Sequence, residues 1–290
     1  MTEFLQFLFS GLTVGAVYAL VALGFTMIYN ASGVVNFAQG EFVMLGAMTT
    51  VFLGKAGLPL PAAGLLAVAA TAAIGVLLDK LAIEPARGAS VVSLIMITIG
   101  ASIFLRGAAQ IVFDKQFHKL PPFTGDTPIA IGGATLLPQS LWVIGGAAAI
   151  VALLFWFMNR TMLGKSVLAT SYNRLAALLV GIDVKKMLML SFALSATIGA
   201  IAGILVTPIT LTSYDAGTLL ALKGFAAAIL GGMGHPLGAV VGGVLVGLAE
   251  QMGAGYVSSS YKDGVAFLVI LVVLFALPHG LFGRGGVERV

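Results

Sequence analysis

The sequence predicts an all-α polytopic membrane protein, eight to nine transmembrane helices packed as one compact bundle over residues 1–290. Three observations carry that expectation. Apolar residues make up 59% of the chain, against about 45–50% in soluble domains. Charged residues make up 9%, against about 25%, too few to cover a surface that faces water. The mean hydropathy of +1.08 then makes the outside as apolar as the inside, so the solvent around most of the molecule is lipid.

The elements follow in chain order. The first apolar run, 4–29, starts directly after Met1-Thr2-Glu3, without the basic start or small-residue cleavage site of a signal peptide, and is read as a span. A crossing helix needs about 20 residues to traverse about 30 Å of hydrocarbon. Further runs occupy 42–53, 62–81, 90–112, 141–158, 188–206, 219–249 and 264–281. The 42–53 run is short, so its helix begins earlier or lies tilted behind others. The 219–249 run is too long, and Gly231-Gly232-Met233-Gly234-His235-Pro236 interrupts it. Proline removes a helix hydrogen bond and glycine eases a bend, which divides this block into two helices. The sequence leaves open whether the break is a plain interhelical turn or irregular backbone at membrane depth.

Lysine and arginine set the orientation. Arg160, Lys165, Arg174, Lys185 and Lys186 face one acid, Asp183, and this largest basic cluster marks the 160–187 loop as cytoplasmic. Counting back puts Lys80 and Arg87 inside, and Lys115, Lys119 and the N-terminus outside. Arg284 and Arg289 fall inside only if 219–249 crosses twice, which favours nine crossings. The loop at about 113–139 holds Pro121, Pro122, Pro128 and Pro138 with several glycines, and reads as an irregular external segment able to cover a mouth or meet a soluble partner. Glycines four apart (Gly11/Gly15, Gly199/Gly203, Gly238/Gly242, Gly243/Gly247) are expected where helix backbones approach closely in lipid.

Charge within a span costs at least about 2.5 kcal/mol at the helix centre, so each such residue needs a reason. Asn36, Gln39 and Glu41 interrupt the apolar sequence between the first two runs; they either satisfy freed backbone or line a passage. Arg106, about two turns from the outer end of its run, is expected to snorkel toward water, and Glu250 to sit at the interface. Thr98, Ser102, Thr207, Thr210 and Thr212 either bond back to their own helices or offer uncharged hydrogen bonds to a small polar solute.

Other classes are disfavoured. His118, His235 and His279 are isolated, and neither a zinc motif nor a nucleophile elbow occurs. An intramembrane enzyme using Ser102 or His235 is the weakest reading. No ladder of carboxylates suggests ion coupling, and no P-loop occurs, so energy for active transport would come from another polypeptide. A net charge of +4 is no nucleic-acid footprint. One segment looks built to meet a partner. Asn173–Asp183 has a short-helix signature, with Ser171 or Asn173 as N-cap and Gly181 at the C-terminal glycine position. Leu175, Leu178 and Leu179 form its apolar face, suited to the lipid interface or to a groove in a cytoplasmic protein.

Several stretches resemble one family. Tyr29-Asn30-Ala31-Ser32-Gly33-Val34-Val35-Asn36-Phe37-Ala38-Gln39-Gly40-Glu41-Phe42 is similar to the N-terminal signature of LivH-type branched-chain amino acid ABC permeases. The 173–183 loop with Phe192–Ala196 and Gly199–Gly203 resembles the family's coupling region, and 225–243 its C-terminal signature. The resemblance implies a single permease domain in a bacterial inner membrane, without a catalytic site, a metal or a cofactor of its own. ATP would be bound by partner cassette subunits. A second permease subunit (LivM-like, or a second copy) and a periplasmic amino acid-binding protein complete the implied assembly. Asn173, Arg174, Ala177 and Gly181 would belong to the coupling helix; the polar residues themselves, Asn36, Gln39 and Glu41 at the junction of the first two helices with Thr98, are expected to form or support the substrate passage. Relatives carry urea or short amides, so the solute stays open; a passive channel for a small neutral solute is the remaining alternative.

Overall fold

The computed structural model describes residues 2–283. Eleven helices of six or more residues are described: α1 (Thr2–Ser32), α2 (Gln39–Lys55), α3 (Leu60–Leu78), α4 (Val91–Phe113), α5 (Pro138–Arg160), α6 (Met162–Tyr172), α7 (Arg174–Leu179), α8 (Val184–Val206), α9 (Ala216–Gly231), α10 (Pro236–Tyr256) and α11 (Lys262–Ala276). A two-stranded antiparallel hairpin, β1 (Ile129–Ile131) and β2 (Ala134–Leu136), decorates the segment between α4 and α5, with Ala130 opposite Thr135. Among the described residues, six helices are long and apolar enough to cross a membrane, α3 counting with the π-helical turn Asp79–Ile83 that extends it.

Apolar composition alone does not hold such helices together, because lipid tails are as apolar as leucine; close packing must do it. The glycine pairs show how. α1 and α10 cross where Gly11 and Gly15 meet the backbone of Val244 and Leu248, while Gly243 and Gly247 lie against Ala19 and Gly15. A Cβ on Gly247 would overlap the Gly15 backbone. Gly199 and Gly203 set α8 against Phe42 and Val43 of α2, and Gly238 and Gly242 seat α10 on α9. All four pairs therefore lie at helix crossings. The result is a central layer of α1, α2, α8, α9 and α10, with α1 buried along most of its length. α3, α4, α5 and α11 form the outer layer. They expose Leu65, Phe104, Trp156 and Phe275, side chains that only lipid or another membrane protein would solvate favourably.

The bundle has two ends. Gln6 and Thr135, Lys55 and His118, and His118 and Thr212 meet at the hairpin end. Arg174 and Ala31, and Glu84 and Lys185, meet at the α7 end. Arg87, Arg174 and Lys185 thus share one end and the 114–137 segment occupies the other, as the charge count requires. Arg284 and Arg289, which that count also used, lie outside the described residues.

Both irregular blocks resolve. The short 42–53 run belongs to a helix that starts at Gln39 and ends at Lys55. The 219–249 block divides into α9 and α10, joined by residues 232–235. That break is an interhelical turn: Gly234, at φ +93°, packs against Tyr29 and Asn30 at the α7 end of α1. The unexpected depth lies elsewhere. Gln39 bonds to Ser195, about half-way along α8, so α2 begins in the middle of the bundle. α9 starts at a similar depth, since Gly217 lies against Gly40. Backbone freed at such depth needs partners. The Asn36 side chain accepts from the Ala38 N–H at 3.1 Å, and Thr98 accepts from the Phe37 N–H at 3.2 Å.

Candidate functional site

The start of α2 places Glu41 in the bundle's middle, facing α4 and the uncapped start of α9. Glu41 is 1% exposed. Its Oε1 accepts from the Ser102 hydroxyl at 2.8 Å and from Arg106 Nη2 at 3.1 Å. Ser102 and Arg106 are four apart on α4, one helical turn, so both reach the same carboxylate. Glu41 Oε2, Arg106 Nε and Thr218 Oγ1 are buried without a hydrogen-bond partner. These three residues line a cavity of about 150 Å³ between α2, α4 and α9, walled by Phe37, Ile99, Ile103, Leu222 and Phe225.

A second charged cluster joins α1, α9 and α10. Lys223 of α9 donates to Glu250 Oε2 of α10 at 2.9 Å, and the Tyr18 hydroxyl of α1 donates to the same oxygen at 2.7 Å. Glu250 is 2% exposed, and the Lys223 ammonium sits 5.5 Å from the Tyr18 ring centre. This triad joins the three helices of the tightest glycine packing.

These placements revise several sequence expectations. Arg106 does not reach for water; the Glu41 carboxylate, invisible from α4's sequence alone, turns it inward. Glu250 is not interfacial, because Lys223, hidden in an otherwise apolar run, compensates it inside the bundle. Asp79, buried at the α7 end with Arg87 3.8 Å away, also went unnoticed. Gln39 is spent on structure: it bonds to the Ser195 carbonyl, and Ser195 in turn donates to the Gly24 carbonyl at 2.8 Å. Asn36 and Thr98 support the α1–α2 connection, and Thr98 also bonds back to Ile95. Of the four passage residues named from sequence, Glu41 alone borders the larger cavity; Asn36 and Thr98 border a small void near Ile83 and Phe192. His118 is not isolated either. Its ring bridges Lys55, at 2.8 Å, and Asp114, at 3.0 Å.

The segment expected to meet a partner forms α7. Asn173 is the N-cap, its side chain accepting from the Ala176 N–H at 3.0 Å, whereas Ser171 bonds back to Leu168. Gly181, at φ +85°, reverses the chain with the left-handed backbone that glycine adopts cheaply. Ala177 is buried beneath the helix, while Leu175, Leu178, Leu179 and Val180 are exposed. Arg174 does more than flank it: its Nη2 donates to the Ala31 carbonyl at 2.7 Å, tying α7 to the last turn of α1. Asp183 caps α8, and the Lys186 backbone N–H holds its carboxyl below the usual aspartate range.

Known proteins resemble the chain over nearly its whole length. The sequence profile described as "Branched-chain amino acid transport system / permease component" matches residues 7–274. The "High-affinity branched-chain amino acid transport system permease protein LivH" of Escherichia coli is 32% identical, over 99% of this chain and 98% of that protein. BraD of Pseudomonas aeruginosa, described in the same words, is 33% identical over the same shares. The "Ribose import permease protein RbsC" of Escherichia coli is 28% identical over 92% of this chain and 84% of its own length. A solved chain titled "PsaBC from Streptococcus pneumoniae in complex with Fab" superposes with a TM-score of 0.51 at 18% identity, covering 93% of this chain and 91% of that one, and shares the fold. With a profile match over most of its length and relatives about a third identical end to end, the chain belongs to the branched-chain amino acid transport permease family, and its long apolar helices make it a multi-pass membrane protein.

Proposed function

We propose that the chain is a transmembrane subunit of an ATP-driven importer for branched-chain or related amino acids, working in a bacterial inner membrane. On this reading the α7 end is cytoplasmic, the hairpin end faces the periplasm, and α1–α5 and α8–α11 make nine crossings. ATP-binding cassette subunits, a second permease subunit and a periplasmic binding protein complete the machine. The chain needs no cofactor, ATP being held by its partners.

The Arg174–Ala31 bond carries the mechanism. α7 exposes four apolar side chains on a short helix capped at Asn173 and stopped at Gly181, a knob suited to a groove in a cassette subunit. Arg174 fastens that knob to α1, whose next residues carry the chain through Asn36 and Gln39 to Glu41. A push on α7 therefore reaches the start of α2 through seven residues of chain beyond Ala31, held at Asn36, Thr98 and Ser195. Glycine-lined crossings let α1, α2, α8 and α10 slide as they are pushed. Uptake of radiolabelled leucine, urea and acetamide in a deletion strain, with and without this gene, tests the solute class; leucine alone is expected to depend on it. Uptake of urea instead would overturn the amino acid reading.

A further inference from the structure

The passage needs a place where the solute is held, and the cavity beside Glu41 has the chemistry of one. A buried ion pair with no other role closes on itself, each charge taking the other and filling its remaining valences with nearby dipoles. Glu41 and Arg106 do not. Glu41 spends one oxygen on Ser102 and Arg106 and leaves Oε2 bare; Arg106 leaves Nε bare; and Thr218 presents an unused hydroxyl. All three residues border the same cavity, on helices α2, α4 and α9. The α9 start also brings Gly217 so near that a Cβ there would lie 3.1 Å from Glu41 Oε2.

We infer that this cavity is a binding station for a zwitterionic α-amino acid with an apolar side chain. The ammonium group docks on Glu41 Oε2 and Thr218 Oγ1, the carboxylate on Arg106, and the side chain on Phe37, Ile103 and Phe225. Opposite charges placed together suit a zwitterion better than a singly charged solute, because an acid alone would face the Glu41 carboxylate and an amine alone would leave Arg106 Nε without an acceptor. A neutral amide would satisfy neither charge. The size agrees: about 150 Å³ is half the lower end of drug-sized pockets, about 300 Å³, and takes a small solute. The cavity opens beside Ile103 and Leu222, both exposed on the surface of this single chain. The inference rests on the permease reading and adds the site to it.

The chain contains no cysteine, so a single reporter thiol needs no altered background. Leu222→Cys at the mouth, purified in lipid nanodiscs without other subunits, is labelled with methyl methanethiosulfonate. Leucine at saturating concentration is expected to slow labelling several-fold. 4-Methylpentanoate, which lacks the amine, and isoamylamine, which lacks the carboxylate, are expected to leave it unchanged. Adding Glu41→Gln or Arg106→Gln should abolish protection. Equal protection by either analogue, protection surviving both substitutions, or no protection by leucine overturns the station. The analogue pattern uses L222C alone, so it decides the matter even if a charge variant fails to fold. Leucine uptake by the assembled importer without leucine protection would sink the station and leave the permease standing; loss of ATP-driven uptake itself would sink the permease reading.

Discussion

Two buried charge clusters sit at similar depth in this bundle and differ in what surrounds them. Tyr18, Lys223 and Glu250 are packed on all sides where α1, α9 and α10 cross, and the carboxylate has both an ammonium and a phenol on one oxygen. Glu41, Ser102 and Arg106 line a cavity, and Glu41 Oε2 and Arg106 Nε, covered beside it, have no hydrogen-bond partner. The first arrangement is a fastener that sets which helices lie together; the second keeps binding capacity in reserve. The carboxylate is buried in both, but the Arg106 side chain is 31% exposed where Lys223 is 10%, so the distinction lies in the cation's burial and in the unspent hydrogen bonds.

The comparison breaks most readily at the closed cluster. Lys223→Met strands a buried carboxylate and should cost about 3–5 kcal/mol, the range for removing one partner of a buried pair. Thermal unfolding in detergent measures it. Glu41→Gln should cost clearly less, because the Arg106 side chain left behind is 31% exposed rather than buried; an equal or larger loss would mean that both clusters are fasteners. Packing sets the next effect. Gly247→Val pushes α1 off α10 and should destabilise by at least the roughly 1–3 kcal/mol of ordinary overpacking, while Gly100→Val, whose position is open, should not. Asn173→Ala removes the α7 cap and should cost about 1 kcal/mol locally, read as faster amide exchange in α7 alone.

The smallest effect is electrostatic. The Gln116 backbone N–H, aided by His118, holds Asp114 below its ordinary value. A carboxyl whose folded value is depressed stabilises the fold above its unfolded value, near about 3.9, and loses that contribution as pH falls through the folded one. The hairpin end should therefore loosen as pH falls below about 4, and Asp114→Asn should remove that dependence together with the small neutral-pH stability that the charge supplies. Hydrogen exchange across 114–137 reads it.

What the sequence disclosed followed from local rules. Apolar runs, glycine spacing and the basic 160–187 cluster gave the spans and agree with the two ends, and the Asn173-to-Gly181 signature gave α7 nearly residue by residue. What it hid was long-range pairing. Arg106 reads as a snorkelling residue until Glu41, 65 positions earlier, is brought beside it. Glu250 reads as interfacial until Lys223 arrives from the preceding helix. Gln39 and Asn36 were visible as polar interruptions, but only packing decides that one binds Ser195, the other caps its own turn, and Glu41 is left at a cavity. A search for opposite charges within or bordering apolar runs would have flagged both pairs without saying which was closed.

The central claim is that movement of solute through this chain is driven from α7. Its most direct test is leucine accumulation in liposomes holding the assembled importer, with ATP on the α7 side and binding protein on the hairpin side. The account predicts accumulation that requires ATP hydrolysis and falls at least tenfold with Arg174→Ala while the subunits stay assembled. Leucine crossing liposomes that hold this chain alone, or full accumulation with Arg174→Ala, would contradict it.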